Sequence, residues 1–314
     1  MDRLYAHLCA IDPEGWRRAV ETLAAEIHPI DQNATRIWFS FYPLDLHLAI
    51  EAAGDEAVHK FGLMGTWRLA DQIDASHRFL YGHRYWSQVK GAIQGFDGLL
   101  GPLPALITAV ADHATRTARV DRDQLIGPAA IGLMTLRQVG PAAFAAAPGT
   151  VHLSAEARRQ SLHQILRHRA RDDSQGPLGF LRGLKKRWTV TFDEADPAAS
   201  FSVIHGQEIA TAAQSDKRDY HARDARCTPG EGPIPVQCRA ASCGTCWVGV
   251  LGGAEKLSPV SERDEGRRMR VFGYADTSEA QPLMRLACQA KAFGAVSIVI
   301  PPWNGVFGKV RQTG

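Results

Sequence analysis

The sequence holds no apolar run long enough to cross a bilayer. Its most apolar stretches, residues 99–111 and 125–136, are interrupted by Gly and Pro and fall short of the roughly 18 consecutive apolar residues that a spanning helix needs. An excess of one charge is also missing. Lys and Arg number 36 against 33 Asp and Glu, a net charge of +3, too nearly balanced to imply a dedicated nucleic-acid binder on charge alone, though a local basic cluster could still matter. The first ten residues, MDRLYAHLCA, place an acid at position 2 and carry no extended apolar segment, so no secretory signal is read and a cytoplasmic location is expected. With 45% hydrophobic and 22% charged residues, the chain as a whole is neither disordered, collagenous nor a coiled coil. Cysteine is scarce, six in 314 residues. In a reducing compartment so few seldom form a disulfide framework, and clustered ones read first as metal ligands.

Strand-like alternation is nearly absent up to residue 186. Asp12 and Pro13 make an N-cap and first helical residue, after which Trp16, Val20, Leu23, Ala24 and Ile27 recur on one face. Further helices are expected over residues 44–53, 66–89, 103–118 and 155–171, divided by Gly, Pro and Asp. The period changes near Trp188. Residues 188–192 and 201–204 are short β-rich runs, 208–214 a short helix and 247–251 a strand. A helix start at Ser258-Pro259 and a final β-branched run over 296–300 follow. The expected fold class is therefore multidomain: a mainly α-helical domain over 1–154, a basic helix and linker over 155–186, an α+β domain over 187–303 and a tail over 304–314.

Residues 158–187 include nine basic residues, opposed only by Asp172 and Asp173. The plain reading is a solvated helix and linker; the functional one is a docking surface for an acidic partner, an anionic membrane or nucleic acid. Peripheral membrane contact stays open, and no nucleic-acid partner is expected.

Cys238, Cys243 and Cys246, with Cys288 farther on, follow C-x4-C-x2-C…C, the plant-type spacing for a [2Fe-2S] cluster. Three thiolates on one short loop wrap a cluster, and a fourth from elsewhere completes two ligands per iron. The small residues between them, Ala240, Ala241, Ser242, Gly244 and Thr245, let backbone N–H groups approach the sulfur atoms. A structural zinc site commonly draws on two short paired spacings, and only one C-x2-C pair occurs here.

The loop CRAASCGTC resembles the C-R-A-G-S-C-x-x-C loop of plant-type [2Fe-2S] ferredoxins, and Arg285-Leu-Ala-Cys-Gln289 is similar to the segment around that family's fourth ligand. The resemblance covers about a third of the chain, from about residue 187 to 303. It implies a β-grasp fold, ligation of a [2Fe-2S] cluster by Cys238, Cys243, Cys246 and Cys288, and transfer of one electron at a time to a docked redox protein or larger redox complex. Three features depart from the family. Ala241 stands where Gly is usual, 41 residues separate Cys246 from Cys288, and this part of the chain is near neutral. The extra length lies in residues 255–282, whose charges (Glu262, Arg263, Asp264, Glu265, Arg267, Arg268, Arg270) read as a surface helix and loop. Cys227 reads as a surface or half-buried cysteine and Cys9 as a core residue.

A carrier of electrons does not need a helical half of this size. No G-x-G-x-x-G run follows a strand, which disfavours a built-in nicotinamide reductase. Glu56-x-x-His59 and Asp74-x-x-His77 have the spacing used by di-iron bundles, though surface and capping roles are the plain alternative. Aromatic residues gather at Trp38, Phe39, Phe41 and Tyr42 and at Phe79, Tyr81, Tyr85 and Trp86, flanked by His77 and His83. These read as core, with a haem or partner groove as the sharper alternative. The expected function is an electron-transfer protein whose helical domain is a docking module, more a carrier or redox subunit than a stand-alone enzyme. The competing expectation is an oxidoreductase whose helical domain holds a second cofactor or substrate site fed by the cluster.

Overall fold

The computed structural model describes residues 1–169, 186–274 and 281–308. Its helices begin with α1 (Asp2–Cys9), α2 (Pro13–Leu23), α3 (Pro29–Phe41), α4 (Leu44–Ala53), α5 (Ala57–Phe61), α6 (Trp86–Gln94), α7 (Leu103–Ala118) and α8 (Asp123–Ala146). The chain divides into two compact units, one of Met1–His47 with Arg68–Ala155 and one of Leu48–Trp67 with Glu156–Gly314.

The first unit is helical. The Asp12 carboxylate accepts from the Gly15 N–H at 2.6 Å, and α2 buries Trp16, Ala19, Val20 and Leu23, as a capped amphipathic helix must. Helix α8 is buried on every face from Gln124 to Leu136 and forms the centre against which α1, α3, α6 and α7 pack. It kinks at Gly140, whose φ of 79° precedes Pro141. The helix expected over 66–89 does not form. Short 3-10 turns, Leu69–Gln72 and Tyr81–Tyr85, occupy that stretch before α6 begins at Trp86. Buried Asp31 explains part of the difference: its carboxylate accepts from the N–H groups of Tyr81 and Gly82, both at 2.7 Å, taking donors that a helix would use internally. Gly82 is required there, because a Cβ would lie 2.5 Å from Pro128 and 2.9 Å from the Asp31 carboxylate.

The second unit contains α9 (Ala155–Arg159, of which Ala155 belongs to the first unit), α10 (Leu162–Arg169), α11 (Ile209–Ala213) and α12 (Arg267–Phe272). The helix expected over 155–171 is thus broken near Gln160, and Arg171, Arg182 and Lys185 of the basic stretch lie outside the described residues. Arg169 is no solvated charge. It holds the Glu194 carboxylate through two bonds of 2.8 and 2.6 Å, with 7% of its side chain exposed.

Strands of this unit are β1 (Met64–Gly65), β2 (Arg187–Thr191), β3 (Ser200–Ile204), β4 (Gln207–Glu208), β5 (Trp247–Gly252), β6 (Met284–Leu286), β7 (Lys291–Ala292), β8 (Val296–Val299) and β9 (Trp303–Asn304). The main sheet has the order β3-β2-β8-β5-β6, with β2 and β8 parallel and the other pairs antiparallel. With α11 packed against β3, this is the β-grasp arrangement. Val190, Val203, Val248, Val250 and Ile298 are fully buried beside Ile209 and Ala213; β2 and β3 alternate buried and open positions, whereas β5 and β8 are buried along nearly their whole length, as central strands covered on both faces are.

Two boundaries read from the sequence are corrected. Residues 48–67, placed there with the helical domain, pack in the second unit: β1 pairs with β9, Thr66 N–H donates to Pro302 O at 2.9 Å and Val306 N–H to Phe61 O at 2.7 Å. The stretch read as a tail begins inside the fold, where Asn304 and Phe307 are buried; residues 309–314 lie outside the described residues. Nor does a helix start at Ser258, because Ser258 N–H donates to Lys291 O and Leu257 bridges to Ala292.

Candidate metal centre

Cys238, Cys243 and Cys246 lie on the loop that runs into β5, and Cys288 follows β6. Because β5 and β6 are antiparallel neighbours with Trp247 opposite Leu286, the residue before one strand meets the residues after the other. Ala287 N–H donates to Cys246 O at 2.9 Å, and the Cys246 and Cys288 thiols share a hydrogen bond. Within the loop, the N–H groups of Ala240, Ser242 and Cys243 all point at the Cys238 Sγ, at 3.4, 3.2 and 3.2 Å.

That convergence needs a backbone that changes hand from residue to residue. Arg239, Ala241 and Gly244 have φ of 54°, 53° and 66°, and such alternation forms an anion-binding nest. Each left-handed non-glycine residue costs on the order of 1 kcal/mol, which accounts for the family's preference for Gly where Ala241 stands. At Gly244 a side chain has no room, since a Cβ would come within 2.2 Å of the Phe272 ring.

The thiols are tuned in pairs. Burial opposes ionisation of Cys238, but hydrogen bonds from Ser242, Ala240 and Cys243 outweigh it and bring its pKa down to about 6. The hydrogen bond from Cys246 draws Cys288 down to about 7 against burial, helped by the Gln289 amide 3.5 Å from its Sγ. Cys246, which donates that bond and is itself buried, is pushed up. Cys243 Sγ lies 3.1 Å from the Thr245 hydroxyl. Among the described residues no three His, Cys, Asp or Glu side chains converge on a single-ion position. The thiols instead form two linked pairs, Cys238 with Cys243 and Cys246 with Cys288, the first half-exposed and the second buried. Donor chemistry and inward N–H groups fit a [2Fe-2S] cluster, which takes two thiolates per iron.

Beside the fourth cysteine opens a cleft of about 320 Å³ lined by Glu208, Thr211, Arg239, Cys288, Gln289 and Lys291. Its cations are paired, Lys291 with Glu208 at 3.7 Å and Arg239 with Glu231 at 2.8 Å.

A residue read from sequence as surface charge is a buried part of this region. Glu265 is 1% exposed and accepts from Arg285 Nε and Nη2, both at 2.9 Å, and from Leu286 N–H at 2.7 Å. It thereby ties the turn before α12 to the strand that ends two residues before Cys288. Only the Arg285-Leu-Ala-Cys288 motif pointed there, and nothing local marked Glu265 as its partner.

The other cysteines stand apart. Cys227 is 2% exposed, more deeply buried than expected, and its Sγ donates to Pro233 O at 3.4 Å. Burial, with Asp224 nearby, pushes its pKa up to about 11, so it is a poor nucleophile. Cys9 is half-buried on α1 of the first unit rather than in its core.

Among the described residues neither carboxylate–histidine pair belongs to a group of three or more potential metal ligands. Glu56 and His59 belong to the second unit and Asp74 and His77 to the first. Asp74 is occupied with N–H donors from Trp86 Nε1 at 2.7 Å, Gly149 at 2.8 Å and Thr150 at 3.2 Å. His77 and His83 are buried edge to face with ring centroids 4.8 Å apart, which leaves no space for a macrocycle between them. Trp38, Phe41, Tyr42 and Trp86 are core.

Both imidazoles are held neutral. Burial lowers His77, with His83 adding; burial followed by Arg78 lowers His83 to about 4, Asp74 opposing and His152 assisting. With the folded pKa below the unfolded value of about 6.5, the unfolded chain binds protons first as pH falls. Stability of the helical unit is therefore expected to fall by about 2 kcal/mol from His83 alone between pH 7 and 5. Urea unfolding followed by far-UV circular dichroism checks this; a His83→Gln variant whose loss over that range equals the parent's contradicts it.

Residues 204–293 match the family model of the 2Fe-2S iron-sulfur cluster binding domain. A protein named "Ferredoxin, plant-type" from Pseudomonas putida is 37% identical over 90 residues, which make up 28% of this chain and 66% of that relative, just under two thirds of its length. No solved structure matches the chain. The C-terminal part of the chain thus carries a [2Fe-2S] ferredoxin-type domain, on the β-grasp sheet described above. No helix among the described residues is long and apolar enough to cross a membrane.

Proposed function

We propose that this chain is an iron–sulfur electron carrier that works in the cytoplasm, its ferredoxin-type domain carrying single electrons to a docked redox enzyme or complex and its helical unit serving as the docking module. Cys238 and Cys243 would hold one iron of the cluster and Cys246 and Cys288 the other. When bound, a [2Fe-2S] cluster supplies one-electron chemistry, at about −400 mV for the plant type. The protein's part is electrostatic. The N–H groups of Ala240, Ser242 and Cys243 stabilise negative charge on the Cys238 sulfur, the Gln289 amide does so at Cys288, and the buried position of Cys246 and Cys288 keeps water from the inner pair. Hydrogen bonds and solvent exposure of this kind set the potential. No proton or bond to carbon moves, so no general acid or base is required.

The observation that carries the reading is the gathering of four thiols into two linked pairs on a β-grasp sheet. Iron and acid-labile sulfide, measured on anaerobically purified full-length protein together with its absorption spectrum, test it. About two of each per chain are expected. Iron without matching sulfide, or an added flavin or haem band, would make the chain an enzyme with a second centre instead.

A further inference from the structure

Helix α12 lies directly against the cysteine loop. The Phe272 ring fills the space a Gly244 side chain would take, and its centroid is 5.9 Å from that of Trp247, the residue after Cys246. Helical spacing divides α12 into two faces. Met269 and Phe272, three residues apart, are buried, whereas Arg267, Arg270 and Val271 are exposed, Val271 to 41%, and Arg268 is half-exposed. The buried anchors therefore hold the exposed arginines at a fixed place beside the thiols. Arg263, on the turn before α12, is exposed as well.

These guanidinium groups differ from others in the same unit. Arg169, Arg226 and Arg285 are matched with Glu194, Asp224 and Glu265. Arg263, Arg267, Arg268 and Arg270 form no ion pair among the described residues. All four are Arg, whose planar fork suits bidentate pairing with carboxylates and loses less entropy per bond than Lys does. Arg is also among the residues enriched at the centres of protein interfaces.

We propose that the exposed face of α12 is the docking surface for an acidic redox protein, whose carboxylates pair with Arg267, Arg268 and Arg270 and so bring its redox centre up to the cysteine loop. The inference rests on the electron-carrier reading. The transfer it serves is one electron from the reduced protein to one acceptor, with no proton or ligand exchanged. Positive charge beside the loop speeds encounter with anions and slows it with cations, and salt screens both effects.

Two measurements on full-length, cluster-loaded protein test it. In the first, dithionite-reduced protein is mixed with tris(oxalato)cobaltate(III), a trianion, or with hexaamminecobalt(III), a trication; each Co(III) accepts one electron and becomes Co(II). The anion's rate should fall about tenfold on raising salt from 10 to 300 mM, and the cation's should rise. Arg267→Glu/Arg270→Glu should reverse both trends, whereas Arg187→Glu/Arg223→Glu, of equal charge change elsewhere on the unit, should not. In the second, oxidised protein is titrated into a fluorescein-labelled polyglutamate peptide. The α12 variant should bind at least about tenfold more weakly than parent and control. Equal salt dependence for both oxidants, or equal effects of the two double variants, would overturn the docking surface. Loss of any reducible cluster would instead overturn the carrier reading, and the peptide titration would still report on the helix.

Discussion

Replacing Cys288 by Ala abolishes the visible absorption of the cluster, whereas replacing Cys227 by Ala leaves it intact: this is the expected result, and the two thiols differ for physical reasons. Cys288 shares a hydrogen bond with Cys246 and lies within reach of the Gln289 amide, which favours its thiolate. Cys227 is buried, donates to the Pro233 carbonyl and has its pKa pushed up to about 11, so it holds its proton where a ligand must lose it. Among the described residues no three His, Cys, Asp or Glu side chains surround a single-ion position that could hold the iron instead. Absorbance per chain with iron and sulfide analysis decides the matter. A Cys288→Ala protein with parental iron and sulfide, or a Cys227→Ala protein without them, would refute the assignment of ligands.

The second large effect belongs to Glu265. Its carboxylate and the Arg285 guanidinium are 1% and 2% exposed in their side chains, so removing one partner leaves an uncompensated buried charge. Glu265→Leu should cost the second unit about 3 to 5 kcal/mol, because a broken buried pair loses its attraction while the desolvation penalty remains. The Leu286 N–H also loses its acceptor, which adds to the damage. Glu265→Leu/Arg285→Leu should recover most of the loss, since two apolar side chains carry no charge to desolvate. Urea unfolding followed through tryptophan fluorescence measures both. A single variant within about 1 kcal/mol of the parent would show that the pair does not hold this strand in place.

The contrast between these two sites shows what a linear reading can reach. The cysteine spacing is legible because three of the four thiols lie on one loop, and the short intervals between them are themselves the geometric constraint. Helices α2 and α7 are legible for a similar reason: Asp12 and Pro13 cap one, and residues 103–118 keep a single apolar face throughout. Glu265 sits among Arg263, Asp264, Arg267 and Arg268, and in sequence it looks like its neighbours. Its partner is twenty positions away, and the burial that distinguishes it arises only when β6 forms. The 66–89 stretch misleads in the same way. Its residues suit a helix, but the Asp31 and Asp74 carboxylates, the first from a different helix, claim backbone donors in and beyond it. Residues 48–67 go with the second unit through partners close to the C-terminus, which no local periodicity records.

That last pairing also orders events during synthesis. Met64 and Gly65 leave the ribosome long before Asn304 and Trp303, the residues they pair with. Residues of the first unit are made between them and can begin to fold while β1 still waits for a partner. Domains generally fold as units during translation, and contacts distant in sequence form slowly. Here the cluster-bearing unit can pair β1 with β9 only once residues 303 and 304 have been made. A ribosome stalled between residues 288 and 303 therefore holds a chain with all four thiols made but β1 and β9 still unpaired.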